Sequence, residues 1–328
     1  MRGESKTDAV HIALAANHRY LPGLEATLAS MLLSAKRKDR LAFHVFADGL
    51  SEEDCNAVKA VAERYGLREP IDFIHPDMEP LKKLFAPYKG SHAAFLRLYL
   101  CEFFKGLDWI VYSDVDILWY RDVCELWEER DDSVSVLWSA DCPSIQQGVC
   151  RGGKDAWRWA IEPAKYACSG VMLMNLRRMR EVGFIRQCAD FALKWGTPGF
   201  VDQDIINHVC RNDAKLLDQR WDCMMPDKAA PSGVVVHCNG VGALFNGPYE
   251  SWRPNYVIWF EFYFKRILGK EYRLSLTKRA LIFLMSLVYP YRALAKFLTL
   301  PFGIERTDQL QRTLFFAWLR RRLPRVCG

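Results

Sequence analysis

The sequence predicts an α/β fold in which helices cover both faces of a mostly parallel central sheet. Short apolar runs alternate with segments of helical periodicity through the first half of the chain, an order typical of parallel sheets. Half of the 328 residues are hydrophobic, so the chain can bury a substantial core. The sequence contains no internal repeats, low-complexity tracts or glycine-rich phosphate loop.

The predicted elements follow one another in a regular order. Residues 10–16 form a first apolar strand, and the apolar positions that follow have helical spacing. Those positions are Leu24, Leu28, Met31, Leu32 and Ala35. Residues 41–47 predict a second strand, and Ser51 and Asp54 have the spacing of a capping box that opens a helix toward Gly66. The later predicted elements are a strand at 71–74, a helix at about 92–104, and a strand that leads into the two aspartates described next. Further strands are predicted at 134–138, 171–176 and 234–237.

The apolar run at 108–116 ends in two aspartates one residue apart, Asp114 and Asp116. Side chains alternate faces along a strand, so both would project to the same side where a buried strand enters a loop. This pair suits Mg²⁺ or Mn²⁺ held against a diphosphate, because these cations prefer carboxylate and phosphate oxygens. The pattern therefore indicates nucleotide or sugar-nucleotide chemistry. The alternative is a solvated acidic turn, since such pairs also occur by chance.

Ligands bind at the carboxyl ends of the strands in open α/β sheets. Both the aspartate pair and His237 follow or end a predicted strand. We therefore expect these side chains to share one site.

The eleven cysteines are scattered singly, with no C-x-x-C pair. Their number is odd, and the chain starts without an apolar signal segment. We therefore expect reduced thiols in the cytoplasm, and the spacing implies no zinc site.

The surplus of basic residues lies in the C-terminal tail. Residues 265–328 contain 14 Lys and Arg against 3 Asp and Glu, a surplus of 11, which leaves residues 1–264 at −5 of the total +6. We therefore divide the chain into a catalytic domain at 1–264 and a basic, aromatic-rich helical tail at 265–328. The apolar run at 280–289 is too short to span a bilayer, which takes roughly 20 helical residues.

Basic residues beside Phe, Leu, Trp and Tyr favour attachment of the tail to an anionic membrane surface. This predicts a peripheral location on the inner face of the cell membrane. The alternative is a helical subdomain that packs on the core. We expect no nucleic-acid partner, because the surplus charge is confined to an apolar tail without a recognition fold.

Six motifs occur in an order that is more specific than any one of them. They are HIALAANHRY at 11–20, FLRLYL at 95–100, DVD at 114–116, SGVMLMNL at 169–176, DQDIIN at 202–207 and HCNG at 237–240. With this order and spacing, residues 10–245 resemble the family 8 retaining glycosyltransferases, in particular the bacterial lipopolysaccharide galactosyl- and glucosyltransferases. The resemblance implies a Rossmann-like GT-A fold that binds a UDP-sugar and Mn²⁺, with Mg²⁺ as the alternative ion.

The resemblance also implies roles for individual residues. Asp114, Asp116 and His237 would be the metal ligands, and a histidine beside two carboxylates favours Mn²⁺ over Mg²⁺. Tyr20 would stack on the uracil. The implied nucleotide-binding residues are Ala15, Asn17, Tyr20, Arg97, Asp114, Val115, Asp116 and Gly240. The implied catalytic residues around the donor sugar are Arg97, Asp202, Gln203 and Asp204, and Asp141 aligns with an acid on the acceptor side.

The chain departs from the family pattern at several positions. Asn17 stands where the family more often has Asp, and Arg19 replaces an Asn that helps to hold the ribose. Cys168 and Ser169 replace an Asn and a small residue, and Ala243 replaces a Lys on the β-phosphate.

The implied activity is transfer of galactose or glucose from a UDP-sugar to a hydroxyl of a lipopolysaccharide, a lipid-linked oligosaccharide or another surface glycan, with retention at the anomeric carbon. Retention requires either a protein nucleophile or same-face attack by the acceptor. The sequence leaves both open, and our preferred hypothesis is same-face attack, because Gln203 is a poor nucleophile. Two alternatives remain at this point. One is an Mg²⁺-dependent phosphohydrolase with a D-x-D strand, and the other is a catalytically impaired protein that binds sugar nucleotides or glycans.

Overall fold

The computed structural model describes residues 9–88, 90–141, 161–224, 233–239 and 254–271. The strands in these segments, in chain order, are β1 (Val10–Ala16), β2 (Leu41–Ala47), β3 (Asp72–Ile74), β4 (Trp109–Ser113), β5 (Ile117–Trp119), β6 (Val136–Ala140), β7 (Ala167–Asn175), β8 (Ala214–Leu217) and β9 (Val235–His237). The first two strands have the predicted boundaries, and β3, β4, β6, β7 and β9 agree with prediction to within a few residues. Strands β5 and β8 were not predicted.

Seven of these strands form one sheet in the order β3-β2-β1-β4-β7-β6-β8. The pairs β3·β2, β2·β1, β1·β4 and β6·β8 are parallel, whereas β7 runs antiparallel to both of its neighbours. The prediction of a mostly parallel sheet is therefore confirmed. The strands β5 and β9 form a separate antiparallel pair.

The helices, in chain order, are α1 (Leu21–Ser34), α2 (Glu52–Arg64), α3 (Glu79–Leu84), α4 (Leu100–Phe103), α5 (Val123–Trp127), α6 (Leu176–Glu181), α7 (Phe184–Trp195), α8 (Val201–Val209) and α9 (Pro254–Phe262). The capping box at the start of α2 is confirmed, because the Ser51 and Asp54 side chains each accept a hydrogen bond from the other's backbone N–H.

The predicted helix at 92–104 is wrong in type over most of its length. Ala93–Tyr99 is a 3₁₀ helix, and only Leu100–Phe103 is α-helical. Helical apolar spacing does not separate these forms, which differ in the backbone bonding pattern. In the 3₁₀ turn, Arg97 Nε donates to the carbonyl of Ala94 at 3.0 Å, so the turn is tied to a buried side chain.

Two apolar cores lie on opposite faces of the sheet. All nine residues of β7 are buried, and they alternate between the cores: Val171 and Leu173 join one, and Met172 and Met174 join the other. The first core includes apolar residues of α1 and α2, and the second includes residues of α6, α7 and α8. The prediction of helices on both faces is confirmed.

A third apolar cluster connects α9 to the body of the domain. Ile258 and Trp259 are buried there with Ala26 and Ala29 of α1. The helix continues as a π-helical turn over Tyr263–Ile267, so the predicted domain boundary at 264/265 falls within a helical segment. Most of the predicted tail, residues 272–328, lies outside the described residues. In the part of the chain that is described, no helix is both long and apolar enough to span a membrane.

Candidate functional site

A cavity of about 310 Å³ opens at the edge of the sheet where β1 and β4 end. Because β7 is antiparallel to β4, its first residues lie at the same edge. The cavity is lined by parts of all six sequence motifs. The predicted site residues among its lining are Ala15, Asn17, Tyr20, Arg97, Asp114, Val115, Asp116, Asp202, Gln203 and His237. Gly240 lies outside the described residues.

The two aspartates of the D-x-D motif lie after the strand and not on it. Strand β4 ends at Ser113, and the next strand, β5, begins at Ile117, so Asp114 and Asp116 occupy the intervening turn. Donor atoms of both aspartates and of His237 nevertheless lie within 4.8 Å of one another. The expected convergence is therefore present, although the alternation of side chains along a strand is not its cause.

His237 reaches this point from the two-stranded sheet. It ends β9 and pairs in register with Ile117, the residue after Asp116. The expectation that it ends a strand of the main sheet is therefore wrong, although its shared site with the aspartates is correct. Its Nε2 lies 3.5 Å from Asp116 Oδ1, and its Nδ1 lies 2.8 Å from Asp222 Oδ1.

The surroundings of His237 suit a metal ligand. The carboxylate of Asp222 holds Nδ1 and leaves Nε2 directed at Asp116, the arrangement in which a second carboxylate orients a metal-binding histidine. Gly170 packs against the ring, because a Cβ there would lie 2.5 Å from Cε1 and 2.8 Å from Nδ1. Two carboxylates and an imidazole are a donor set that a divalent cation such as Mn²⁺ accepts.

The protonation of the imidazole depends on the same neighbours. Burial disfavours the charged ring, but the carboxylates of Asp222 and Asp116 together with the sulfur of Cys168 outweigh burial and raise the pKa of His237 well above its usual value. A cation at Nε2 would compete with that proton, since a ligating histidine is neutral.

Arg97 connects two acidic residues of the site from inside the protein. Its Nη2 donates to Asp114 Oδ1 at 2.6 Å, and its Nε lies 3.1 Å from Asp202 Oδ2. Its Nη1 donates to the backbone carbonyl of Ser169 at 2.7 Å, and the guanidinium stacks over the ring of Tyr112. The side chain is therefore largely committed to positioning carboxylates, even though it also lines the cavity.

Burial and Arg97 act in opposite directions on the pKa values of both acids, and burial has the larger effect. Burial raises the pKa of Asp114 despite the guanidinium beside it. Burial also raises the pKa of Asp202 to about 6. Both carboxylates accept hydrogen bonds, Asp114 from Tyr112 and Asp202 from Ser169, which favours their charged forms.

The three residues at the start of α8 have separate environments. Gln203 lines the cavity, and its side-chain nitrogen donates to Asp141 Oδ2 at 2.8 Å while its oxygen accepts from the Ser169 N–H at 3.1 Å. Asp204 is not among the described residues that line the cavity. Its carboxylate accepts from the Tyr166 hydroxyl at 2.7 Å and from the Phe200 N–H at 2.8 Å. We predicted a catalytic role for Asp204, but these contacts commit its carboxylate to Tyr166 and to the backbone before α8.

Asn17 follows β1 in the wall of the cavity and carries an unsatisfied hydrogen-bond acceptor. Its Oδ1 is buried and has no hydrogen-bond partner among the described residues. Buried polar atoms are normally paired, so this oxygen is available to a donor on a bound molecule. Ala15 and Tyr20, from the same motif as Asn17, also line the cavity.

The sequence pattern of glycosyl transferase family 8 matches residues 11–252. The chain belongs to this family. It is 32% identical over 230 residues to a lipopolysaccharide 1,3-galactosyltransferase of Salmonella typhimurium, which covers 66% of this chain. It is 27% identical over 232 residues to a lipopolysaccharide 1,2-glucosyltransferase of Escherichia coli, which covers 68% of this chain. The chain spans 64% and 65% of the length of these two relatives, less than two thirds.

Solved structures share the fold of this family 8 member. The galactosyltransferase LgtC, in complex with donor and acceptor sugar analogs, superposes with a TM-score of 0.61 at 20% identity, over 83% of this chain and 99% of that one. The apo bifunctional glycosyltransferase WbbM gives a TM-score of 0.63 at 16% identity, over 80% of this chain and 50% of that one. At these identities the likeness establishes the fold, which is GT-A as predicted.

Several residues that shape the site of this family 8 chain escaped the sequence analysis. Asp222 and Tyr112 contact the predicted metal ligands directly, and Gly170 contacts His237. Gly170 is the second residue of the motif at 169–176, and a glycine there is a signal for the close approach of another group. Asp222 had no sequence signal, because its approach to His237 depends on the backbone hydrogen bonds that join the next residue, Cys223, to β9.

Proposed function

We propose that this protein transfers a hexose from a UDP-sugar to a glycan hydroxyl, in a metal-dependent reaction that retains the anomeric configuration. The observation that carries the proposal is the convergence of Asp114, Asp116 and His237 in one cavity. Membership of family 8 supports sugar transfer. The activities of the bacterial relatives support glucose or galactose as the sugar and a lipopolysaccharide as the acceptor.

Asp114, Asp116 and His237 would hold the divalent cation, with Mn²⁺ favoured by the nitrogen ligand. When bound, such a cation neutralises the charge that develops on the departing diphosphate. Asp222 fixes the tautomer and the orientation of the imidazole. Arg97 fixes the Asp114 carboxylate from the buried side.

The nucleotide would bind between β1 and the metal ligands. Asn17 Oδ1 is suited to accept a hydrogen bond from the N–H of a uracil, because it has no partner among the described residues. Tyr20 provides an aromatic face for the base, and Val115 lies between the two aspartates. The Lys that the family pattern places at 243 is Ala here, at a position outside the described residues.

The side chains near the sugar favour same-face attack by the acceptor. Asp202 is buried and paired with Arg97, and Asp204 is bonded to Tyr166 and to the backbone of Phe200. Gln203 is a carboxamide, which is a poor nucleophile. With no uncommitted carboxylate among these three, the acceptor oxygen attacks as the bond to UDP breaks, through an oxocarbenium-like state. The departing phosphate then takes the proton of the acceptor.

The proposal extends to the location of the protein. A basic, aromatic-rich segment at 265–328 would associate with the anionic inner surface of the cell membrane. That position would bring the catalytic domain at 1–264 close to a lipid-linked acceptor.

The deciding experiment measures UDP release from a panel of UDP-hexoses, with Mn²⁺ present and then chelated. Slow hydrolysis of the donor needs no acceptor, so the assay does not require knowledge of the glycan. We expect release from one donor that stops on chelation and returns with Mn²⁺. Folded protein that binds UDP and cleaves no donor would contradict the transferase proposal and favour a binding protein.

A further inference from the structure

A second group of metal-ligating side chains lies behind the Asp114/Asp116 pair. Cys168, Asp222 and His237 each provide one donor atom, and the three atoms lie within 4.8 Å of one another. All three residues are buried. The distances are 3.6 Å from Cys168 Sγ to His237 Nδ1 and 2.8 Å from that nitrogen to Asp222 Oδ1.

Hydrogen bonding leaves part of this cluster unsatisfied. Asp222 has a fully buried side chain, and its Oδ2 has no partner among the described residues. A buried carboxylate oxygen without a partner is costly, because it has lost water and gained nothing in exchange. The orphaned oxygen faces the gap beside Gly170, since a Cβ there would lie 3.3 Å from it.

The spacing of sulfur and nitrogen matches a tetrahedral zinc site. With Zn–S of about 2.3 Å and Zn–N of about 2.0–2.1 Å, tetrahedral angles separate the two ligands by about 3.5 Å. The observed separation is 3.6 Å. The nitrogen and oxygen are closer than such a site requires, so Asp222 would move outward to a separation of about 3.4 Å or would bind through its orphaned oxygen.

We propose that Cys168, Asp222 and His237 form a second cation site, which takes a thiophilic divalent cation such as Zn²⁺. The two ring nitrogens of His237 then face sites of different chemistry. Nε2 faces the carboxylates of the D-x-D motif, which suit hard cations, whereas Nδ1 faces a sulfur that selects a softer one. Cys168 and His237 line the cavity, so a cation can enter from there.

Binding changes the protonation of two ligands. The Cys168 thiol releases its proton to solvent as the metal–sulfur bond forms. The proton at His237 Nδ1 is likewise released to solvent, and the cation displaces the hydrogen bond to Asp222 that directs Nε2 at Asp116. Zn²⁺ at this site therefore withdraws His237 from the Mn²⁺ site. This antagonism rests on the proposed function, but the zinc site itself does not.

The test uses Co²⁺ as a spectroscopic probe on the full chain, without nucleotide or sugar. A thiolate ligand gives a sulfur-to-cobalt charge-transfer absorption, which we expect in the wild-type protein and which added Zn²⁺ should remove. Cys168→Ala should abolish the band. Cys188→Ala is the matched control, because Cys188 is also buried but lies in α7 outside the cluster, and it should keep the band.

Asp222→Asn provides a second variant that preserves size, and we expect Co²⁺ affinity to fall about 10- to 100-fold. Absence of the band in the wild-type protein, or an equal band in C168A, would overturn the site. Electron paramagnetic resonance of Mn²⁺ tests the antagonism: Zn²⁺ should release bound Mn²⁺ from the wild type more readily than from C168A. Equal release from both would overturn the antagonism. Neither measurement depends on UDP release, so failure of the second cation site can be told apart from failure of the transferase proposal.

Discussion

Gly170 leaves the space in which the imidazole of His237 lies. A Cβ at position 170 would come within 2.5 Å of the ring carbon Cε1, a distance that real side chains do not tolerate. Strand β7 and strand β9 belong to different sheets, so this contact fixes the position of one sheet against the other at the metal ligands.

We expect Gly170→Ala to push His237 away from Asp116 and to weaken Mn²⁺ binding about 10- to 100-fold, the usual effect of disturbing the surroundings of a ligand. Electron paramagnetic resonance of free Mn²⁺ measures the affinity. Gly106→Ala is the control, because a Cβ there meets no atom within 4 Å. Unchanged Mn²⁺ affinity in folded G170A would contradict the role assigned to this contact.

Asp116→Asn should remove a charged ligand and reduce Mn²⁺-dependent UDP release by roughly 100-fold or more. Asp114→Asn should do the same. It should also loosen Arg97, because Asp114 accepts a hydrogen bond from the Arg97 guanidinium. Asp218→Asn is a suitable control, since that side chain is about half exposed and pairs with Arg220 away from the cavity lining. Full activity in both D114N and D116N would refute the metal assignment.

Arg97→Ala should lower the free energy of unfolding by about 3–5 kcal/mol, because it leaves the buried carboxylate of Asp202 and the partly buried carboxylate of Asp114 without their cation. Arg37→Ala is the matched comparison. It breaks an ion pair with Asp39 of the same 2.6 Å length, but on the exposed surface, where solvent screens the charges. Urea unfolding should therefore separate the two variants clearly, and equal midpoints would argue against a buried role for Arg97.

Asn17→Ala should weaken UDP binding about tenfold, because it removes the unsatisfied acceptor from the cavity. Asn17→Asp keeps an acceptor oxygen at the same place and should bind UDP more tightly than the alanine variant. Isothermal titration calorimetry with UDP and Mn²⁺ measures both. An alanine variant with the affinity of the wild type would remove Asn17 from the nucleotide site.

His11 should make the fold sensitive to mild acid. Burial and the neighbouring His44 lower the pKa of His11 from 6.5 to about 4. Between these values the unfolded chain binds a proton that the folded chain does not, so the free energy of unfolding falls as pH drops from about 6.5 to 4. Solvent screening at this half-buried site limits the loss to about 1 kcal/mol.

The check for His11 is urea unfolding of the wild type and His11→Gln at pH 7.5 and pH 4.5. The variant should lose less stability than the wild type over this interval. An identical loss would show that the acid sensitivity arises elsewhere.

The sequence by itself determined most of the local structure. Apolar runs of strand length defined β1 and β2 to the residue, and the Ser51/Asp54 pair marked the start of α2, because side-chain periodicity and capping act within a few residues of chain. The order and spacing of six motifs were enough to indicate the family, and the family in turn located Asp114, Asp116 and His237.

The tertiary structure alone decided how the site is built. The antiparallel β7 places residues 168–170 beside the turn that carries Asp114, and the pairing of β5 with β9 sets His237 next to Asp116. Both relationships join residues far apart in the chain, so no local pattern encodes them. The same folding buried Arg97 between two carboxylates and brought Cys168 and Asp222 to the far side of the imidazole. The sequence implied no zinc site because it contains no closely spaced cysteine pair, whereas the proposed ligands meet only when three separate segments pack together.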